Sequence, residues 1–187
     1  MIDYFALLGI ERRPAINEVF LRDAYVRQAE SLQGVQVEAS GLSLLNTAFR
    51  TIANPATRVQ HLLQLQFGDA SGGQIGSELG ELFGSVAVTL QSVDQEFGSL
   101  SAESSALLRA LAFQRMDAAR QRLQQAENKL LALECNLLSE IGKLDGAWPE
   151  SPGCCRESLA QIALQLTFVQ KWLSEVRERK IRLEELT

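Results

Sequence analysis

Metal-binding and disulfide-forming residues are scarce in this sequence of 187 residues. It contains one histidine, His61, and three cysteines, Cys135, Cys154 and Cys155. A tetrahedral zinc site would need all four of these scattered side chains, without the CxxC spacing that zinc sites use. An odd number of cysteines with an adjacent pair is also a poor disulfide framework, and it suits a reducing compartment. The sequence therefore predicts free thiols, no metal site and no cofactor.

Long apolar runs and basic clusters are absent as well. No stretch of 18 apolar residues occurs, so no membrane span is predicted. The first residues, Met1 to Tyr4, have neither the basic start nor the apolar core of a secretory signal, so we expect a cytoplasmic or organelle-matrix protein. The formal net charge of −5 disfavours a nucleic-acid partner, because neutralising phosphates requires a concentrated basic surface.

Catalytic motifs are missing too. The sequence has no glycine-rich phosphate loop ahead of a helix, no GxSxG, and no Cys/His or Ser/His pair with an orienting carboxylate. We therefore expect a protein without enzymatic activity and without catalytic residues. His61 has no acidic or cysteine neighbour in sequence to orient it, which favours a packing role over catalysis or metal binding.

What the sequence does contain is helical periodicity. Apolar residues recur at spacings of three and four, and no strand-like alternation of any length is present. Proline and glycine divide the chain into four short segments within residues 3–66, a joint at 68–73, and long helical patterns interrupted at 145–153. This organisation predicts an all-α fold. Its three long amphipathic helices would bury their apolar stripes against one another in an antiparallel bundle.

Two of the short helices have recognisable ends. The first is predicted to cover Tyr4 to Leu8 and to stop at Gly9. Asn54 and Pro55 predict the start of the fourth, because asparagine can accept a hydrogen bond from an unpaired helix amide and proline has no amide to leave unpaired.

The remaining helices are predicted from apolar spacing and from serine caps. The second is expected to run from about Asn17 to Leu32. Its predicted apolar stripe consists of Val19, Phe20, Ala24 and Val26 or Arg27. The long helices are expected to begin near Ser77, at Ser101 and after Gly153, with Cys154 and Cys155 in the preceding turn.

Two stretches of the first half resemble J-domains. Residues 3–10 read Asp-Tyr-Phe-Ala-Leu-Leu-Gly-Ile, similar to the aromatic pair and Leu-Gly turn with which J-domains begin. Residues 45–63 resemble the third and fourth J-domain helices, with Asn-x-Ala-aromatic from Asn46, an Asn-Pro cap, Arg58 three residues after the proline, and a leucine pair. The leucine-rich end at Leu65 is similar to the iron–sulfur co-chaperone branch, the HscB-like family.

The resemblance implies an architecture and a partner. In that family a J-domain is followed by a three-helix bundle that holds the scaffold protein of iron–sulfur cluster assembly. We therefore expect a J-domain-like four-helix part in residues 1–67, a linker in 68–76, and an antiparallel three-helix bundle in 77–187. The bundle would bind an iron–sulfur scaffold protein or another client.

The chain departs from the family at the His-Pro-Asp triplet that contacts the partner ATPase. Counted along the second helix, the place of that triplet is held by Ala29, Glu30 and Ser31. The second helix is basic in active J-domains. Here it contains two basic residues, Arg22 and Arg27, and three acidic ones. Attraction toward an acidic groove on a heat-shock-type ATPase is therefore not expected, and neither is standard stimulation of its activity.

Six apolar residues match the scaffold-binding surface of the family or lie next to it. Rigid apolar side chains on a helix face make good binding anchors, whereas large apolar residues most often lie in the core. Both interpretations, a binding-surface position and a core position, remain open for each of the six residues. They are Leu82, Phe83, Val86, Ala87, Leu90 and Phe168.

Three functions follow from these features. The leading hypothesis is a divergent HscB-like co-chaperone that binds a scaffold or client protein without standard stimulation of the chaperone ATPase. An alternative is a structural or oligomerising helical protein that uses the same fold with a different partner. A working co-chaperone that contacts the ATPase through other residues is disfavoured, because the second helix is not basic.

Overall fold

The computed structural model describes residues 1–33, 39–69, 72–74, 76–100 and 106–185. The regular structure in these ranges is helical and contains no strand, which confirms the predicted all-α class. The helices are α1 (Tyr4–Leu8), α2 (Glu18–Gln33), α3 (Ala39–Ala53), α4 (Pro55–Phe67), α5 (Ser77–Leu100), α6 (Ala106–Ala147) and α7 (Pro152–Glu185).

Helix α1 begins and ends at its capping residues. The Asp3 carboxylate accepts hydrogen bonds from the backbone N–H groups of Phe5 at 3.0 Å and Ala6 at 3.2 Å, two of the amides that a helix start leaves unpaired. Gly9 has a φ of 66°, the left-handed conformation that favours glycine, and its N–H donates to the carbonyl of Ala6. The predicted bounds of this helix are confirmed.

Helix α4 has the predicted cap as well. The side-chain oxygen of Asn54 accepts hydrogen bonds from the N–H groups of Ala56 at 2.9 Å and Thr57 at 3.2 Å. Pro55 occupies the first helical position, where its missing amide is not needed. The helix ends at Gly68, which has a φ of 71°.

Helix α2 buries a different face from the predicted one. The Asn17 side chain caps it by accepting hydrogen bonds from the N–H groups of Val19 and Phe20. The buried residues are Leu21 and Ala24, on the face packed against α1 and α3. The predicted stripe was therefore right for Ala24 only; its other apolar members, Val19, Phe20 and Val26, are exposed. Apolar residues lie on two neighbouring faces of this helix, and periodicity alone does not say which face has a neighbour.

The turn between α6 and α7 is shorter than predicted. Helix α6 continues to Ala147 and α7 begins at Pro152, so the break covers only residues 148–151. Proline is well tolerated in the first turn of a helix, because its missing N–H would be unpaired there in any case. Cys154 and Cys155 consequently lie in α7 and not in a turn; the first is exposed and the second is buried. The predicted start of α6 at Ser101 lies outside the described residues.

The chain forms two compact units. The first consists of Met1–Gln74 with Leu137–Thr167, and the second of Ile75–Asn136 with Phe168–Thr187. Helices α6 and α7 each contribute residues to both units. The functional domains inferred from the sequence, residues 1–67 and 77–187, follow chain order instead, and they stay a prediction.

Polar contacts within the first unit hold the connection between α1 and α2. The buried guanidinium of Arg58 donates a hydrogen bond to the carbonyl of Pro14 at 2.8 Å. The Asp145 carboxylate pairs with Arg13 at 2.7 Å and accepts a hydrogen bond from the N–H of Ala15 at 3.1 Å. Hydrogen bonds thus fix three consecutive residues of this connection.

The second unit is a bundle of α5 with parts of α6 and α7. Residue numbers rise together along α5 and α7, because Phe83 lies near Phe168 and Asp94 pairs with Arg179, so these two helices are parallel. Helix α6 runs antiparallel to both, which is the predicted up-down-up arrangement. Buried residues of this bundle include Leu79, Phe83, Val86, Leu90, Val93, Leu123, Leu130, Val176 and Leu183.

Candidate protein-binding surface

An aromatic cluster joins α5 to α7 in the second unit. The ring of Phe83 lies 5.8 Å from the ring of Phe168 and 6.1 Å from that of Trp172, measured between ring centroids. Phe168 and Trp172 are four residues apart and therefore lie on the same face of α7. Aromatic rings at these separations attract one another beyond their area of contact. The cluster therefore holds three large side chains in defined positions.

The six apolar residues that match the family surface or lie next to it divide between core and surface. Phe83, Val86 and Leu90 are 7%, 1% and 5% exposed and belong to the interior of the second unit. A helix packed against two neighbours buries a broad stripe, and these three residues form that stripe. The half-buried residues of the six are Leu82, Ala87 and Phe168.

A groove of about 590 Å³ lies between α5 and α7; we call it the α5–α7 groove. Its lining residues include Ala87, Leu90, Gln91, Lys171, Trp172 and Arg179. Ala87 and Trp172, both half-buried, contribute apolar surface to this lining. Grooves that combine an apolar part with a few polar groups are typical of sites that bind a protein segment.

One guanidinium pairs with both carboxylates that line the groove. Arg179 forms two hydrogen bonds with Asp94 of α5, at 3.1 Å and 3.3 Å, and it also pairs with Glu175 of its own helix. The hydrogen bond with Asp94, and then that with Glu175, holds the pKa of Arg179 above its ordinary value. This pairing ties α5 to α7 at the polar end of the groove.

Trp172, Lys171 and Arg179 are lining residues that the sequence did not single out as a site. Trp172 was detectable in principle, because it lies one helical turn after Phe168 and repeats its large aromatic side chain. The pairing of Arg179 with Asp94 was not detectable, because it joins residues 85 positions apart in the chain.

The place counted for the His-Pro-Asp triplet is helical. Ala29, Glu30 and Ser31 lie in the last turns of α2, which continues to Gln33. Glu30 and Ser31 are exposed, and the Ser31 hydroxyl donates to the carbonyl of Gln28 at 2.8 Å. These three residues include no proline, so nothing in the triplet position ends the helix.

The outer surface of α2 carries no concentration of free positive charge. Arg22 pairs with Glu18 at 3.6 Å, and Arg27 donates to the backbone carbonyl of Asp23. The exposed apolar residues of this helix are Val19, Phe20 and Val26, which are 67%, 51% and 49% exposed.

His61 contributes to packing in the first unit. Its Nε2 accepts a hydrogen bond from the N–H of Tyr4 at 3.1 Å, and its ring stacks on that of Tyr4 at 4.5 Å. Burial lowers the pKa of His61, which favours the neutral ring that can accept this bond. Among the described residues, no group of three or more His, Cys, Asp or Glu side chains is arranged to hold a metal ion. No helix in the described ranges is long and apolar enough to span a membrane.

The fold and the surface together define a helical protein whose candidate site suits protein binding. The fold is HscB-like: the crystal structure of the human co-chaperone protein HscB matches with a TM-score of 0.57. The match covers 97% of this chain and 84% of that chain, at 13% sequence identity, so the likeness concerns the fold alone. No protein-family model and no curated protein sequence matches the chain.

Proposed function

We propose that this protein acts by binding and holds an iron–sulfur cluster scaffold, or another client protein, on the surface formed by α5 and α7. The observation that carries the proposal is the aromatic cluster of Phe83, Phe168 and Trp172 beside the α5–α7 groove, in the bundle of an HscB-like fold. The compartment that fits this function is a bacterial cytoplasm or an organelle matrix.

We further propose that the protein does not stimulate a heat-shock-type ATPase in the way J-domains do. The first support is the replacement of the His-Pro-Asp triplet by Ala29, Glu30 and Ser31. The second is the outer surface of α2, where Val19 and Val26 are exposed and Arg22 is paired with Glu18. Such a surface offers little electrostatic attraction to an acidic groove on an ATPase.

The experiment is a calorimetric titration of the full chain with the cluster scaffold protein of its host. Phe168→Ala removes a half-buried aromatic anchor, and truncating such an anchor typically weakens binding about tenfold or more. The matched control is Ile181→Ala on the same helix, an apolar residue that is 57% exposed and lies outside the groove. Absence of scaffold binding, or equal binding by the Phe168→Ala variant, would overturn the proposal.

The same samples test the ATPase prediction. A heat-shock-type ATPase of the host is assayed with and without this protein, with an intact J-domain protein as the positive control. We expect no stimulation above the basal rate. Stimulation comparable to that of the positive control would show that other residues replace the triplet.

A second candidate function is oligomerisation through α2. It is favoured by the three exposed apolar residues of this helix, since exposed apolar side chains close together often mark interaction surfaces. Light scattering across a range of concentrations measures the molar mass directly. A dimer that dissociates in a Val19→Ser, Val26→Ser variant would favour this function, and a monomer at all concentrations would exclude it.

A further inference from the structure

The end of the α6–α7 hairpin lies against two connections of the first unit. We call residues 145–161 the hairpin tip; it comprises the end of α6, the turn at 148–151 and the first turns of α7. The sequence predicts that this stretch belongs to the bundle, but it contacts residues 12–15 and 67–74. All of these residues belong to the first unit. Chain order therefore does not identify the neighbours of the hairpin tip.

The first connection joins α1 to α2 and has no regular structure. The indole N–H of Trp148 donates a hydrogen bond to the carbonyl of Arg12 at 3.0 Å. The Asp145 carboxylate accepts two hydrogen bonds from Arg13, at 2.7 Å and 3.3 Å, and one from the N–H of Ala15 at 3.1 Å. The side chain of Asp145 is only 17% exposed, and a two-pronged bond of this kind is stronger than an ordinary surface ion pair. The hairpin tip thus holds the path of this connection.

The second connection is the segment that follows α4. The Gln161 side chain pairs twice with the backbone of Gln74: its Oε1 accepts from the N–H at 2.7 Å, and its Nε2 donates to the carbonyl at 2.6 Å. One side chain therefore satisfies both backbone groups of a residue outside regular structure. Arg156 adds an ion pair with Asp69 at 3.6 Å, and its guanidinium lies 5.3 Å from the centroid of the Phe67 ring.

Two glycines allow this segment to approach α7 closely. An added Cβ at Gly72 would lie 3.1 Å from the Cβ of Ala160, and one at Gly73 would lie 2.9 Å from the Cα of Gln161. The prediction of a linker at these glycines relied on the conformational freedom that glycine gives a chain. Here the missing side chains have another consequence, because they permit close packing against a helix.

We propose that the four-helix part of residues 1–67 depends on the hairpin tip for its stability, through Asp145 at the first connection and Gln161 at the second. Residues 72–74 then act as a fixed attachment to α7 and not as a flexible linker. Neither contact involves α5 or the α5–α7 groove, so this inference goes beyond the proposed client binding and does not depend on it.

The test is hydrogen exchange of the full chain, measured by NMR at the backbone amides of Val59 and Leu62. Both residues are 0% exposed and lie in α4, so their exchange reports on opening of the four-helix part. We expect Asp145→Ala to accelerate this exchange about tenfold or more, because hydrogen bonds to a charged carboxylate are lost. Gln161→Ala removes two neutral hydrogen bonds and should accelerate it about threefold or more.

The control is Glu140→Ala, which removes an exposed carboxylate of the same helix that pairs with Lys143. It should change these exchange rates by less than about twofold. Asp145→Asn keeps an acceptor for the N–H of Ala15 but loses the charge, so we expect a smaller acceleration than in Asp145→Ala. If Asp145→Ala does not fold, Asp145→Asn takes its place. Unchanged exchange in either the Asp145 or the Gln161 variant would overturn the inference, and so would an equal acceleration in Glu140→Ala.

Discussion

Replacing Arg58 tests whether a buried cation organises the first unit. Its guanidinium donates hydrogen bonds to the carbonyl oxygens of Pro14 at 2.8 Å and Ile52 at 2.9 Å, and only 7% of the residue is exposed. Arg58→Met keeps an unbranched side chain of similar reach and removes both donors. Arg58→Ala removes most of the buried stem as well.

The expected size of the effect follows from two opposing contributions. A buried carbonyl that loses its hydrogen bond costs about 2 kcal/mol, hence about 4 kcal/mol for the two carbonyls. Against this, burial lowers the pKa of Arg58 from its ordinary value to about 10, and that lowering corresponds to about 3 kcal/mol of desolvation that the substitution relieves. We therefore expect Arg58→Met to lose about 1 kcal/mol. Arg58→Ala should lose about 2–3 kcal/mol, because two further buried CH₂ groups are removed.

The assay follows the first unit by the fluorescence of Trp148, which lies in that unit and is 5% exposed. A Trp172→Phe background removes the other tryptophan, so urea unfolding of the first unit is observed separately. The control is Arg50→Met, an exposed arginine of α3, which should change the free energy of unfolding by less than about 0.5 kcal/mol. Arg58→Ala within that same margin, or Arg58→Met more stable than the parent by over about 1 kcal/mol, would refute the reasoning.

Two further predictions concern pH and backbone conformation. Burial lowers the pKa of His61 in the folded protein, so below pH 6.5 the unfolded chain binds protons more readily and stability should fall as pH drops. Melting temperatures measured from pH 8 to pH 5 test this expectation. An equally steep fall of the melting temperature with pH in the His61→Gln variant would contradict it. Gly73 has a φ of 89°, and an added Cβ would lie 2.9 Å from the Gln161 Cα, so Gly73→Ala should destabilise the protein by about 1–3 kcal/mol. Gly80→Ala adds a Cβ in open space inside a helix and should stabilise the protein by about 0.5–1 kcal/mol. Urea denaturation measures the free energy of unfolding of both variants. Equal changes in the two variants would contradict the argument.

The helical class and the capped helix ends were predictable from the sequence. Asp3 and Asn54 cap helices through hydrogen bonds to amides only two or three residues away, and Gly9 ends α1 through its own backbone conformation. Such interactions depend on the order of neighbouring residues and on little else.

The buried faces were predictable only in part. Val19 and Phe20 satisfy helical spacing as well as Ala24 does, yet only Ala24 is buried. The same ambiguity applies to two residues that match the family surface: Phe83 lies in the interior, whereas Phe168 is half-buried at the surface. Spacing identifies an apolar face, whereas burial depends on whether another helix covers it.

The sequence by itself determined that this chain is helical, where α1 begins and ends, where α4 begins, and that it lacks the His-Pro-Asp triplet of J-domains. Tertiary structure alone decided how the charges combine. The four acidic residues of α5 predict an acidic helix surface, but Arg179 of α7 and Arg122 of α6 form ion pairs with two of them. The physical reason is the separation along the sequence of the interacting residues. A helix cap joins residues two or three positions apart, whereas the ion pair of Asp94 with Arg179 joins residues 85 positions apart and forms only once the bundle has packed.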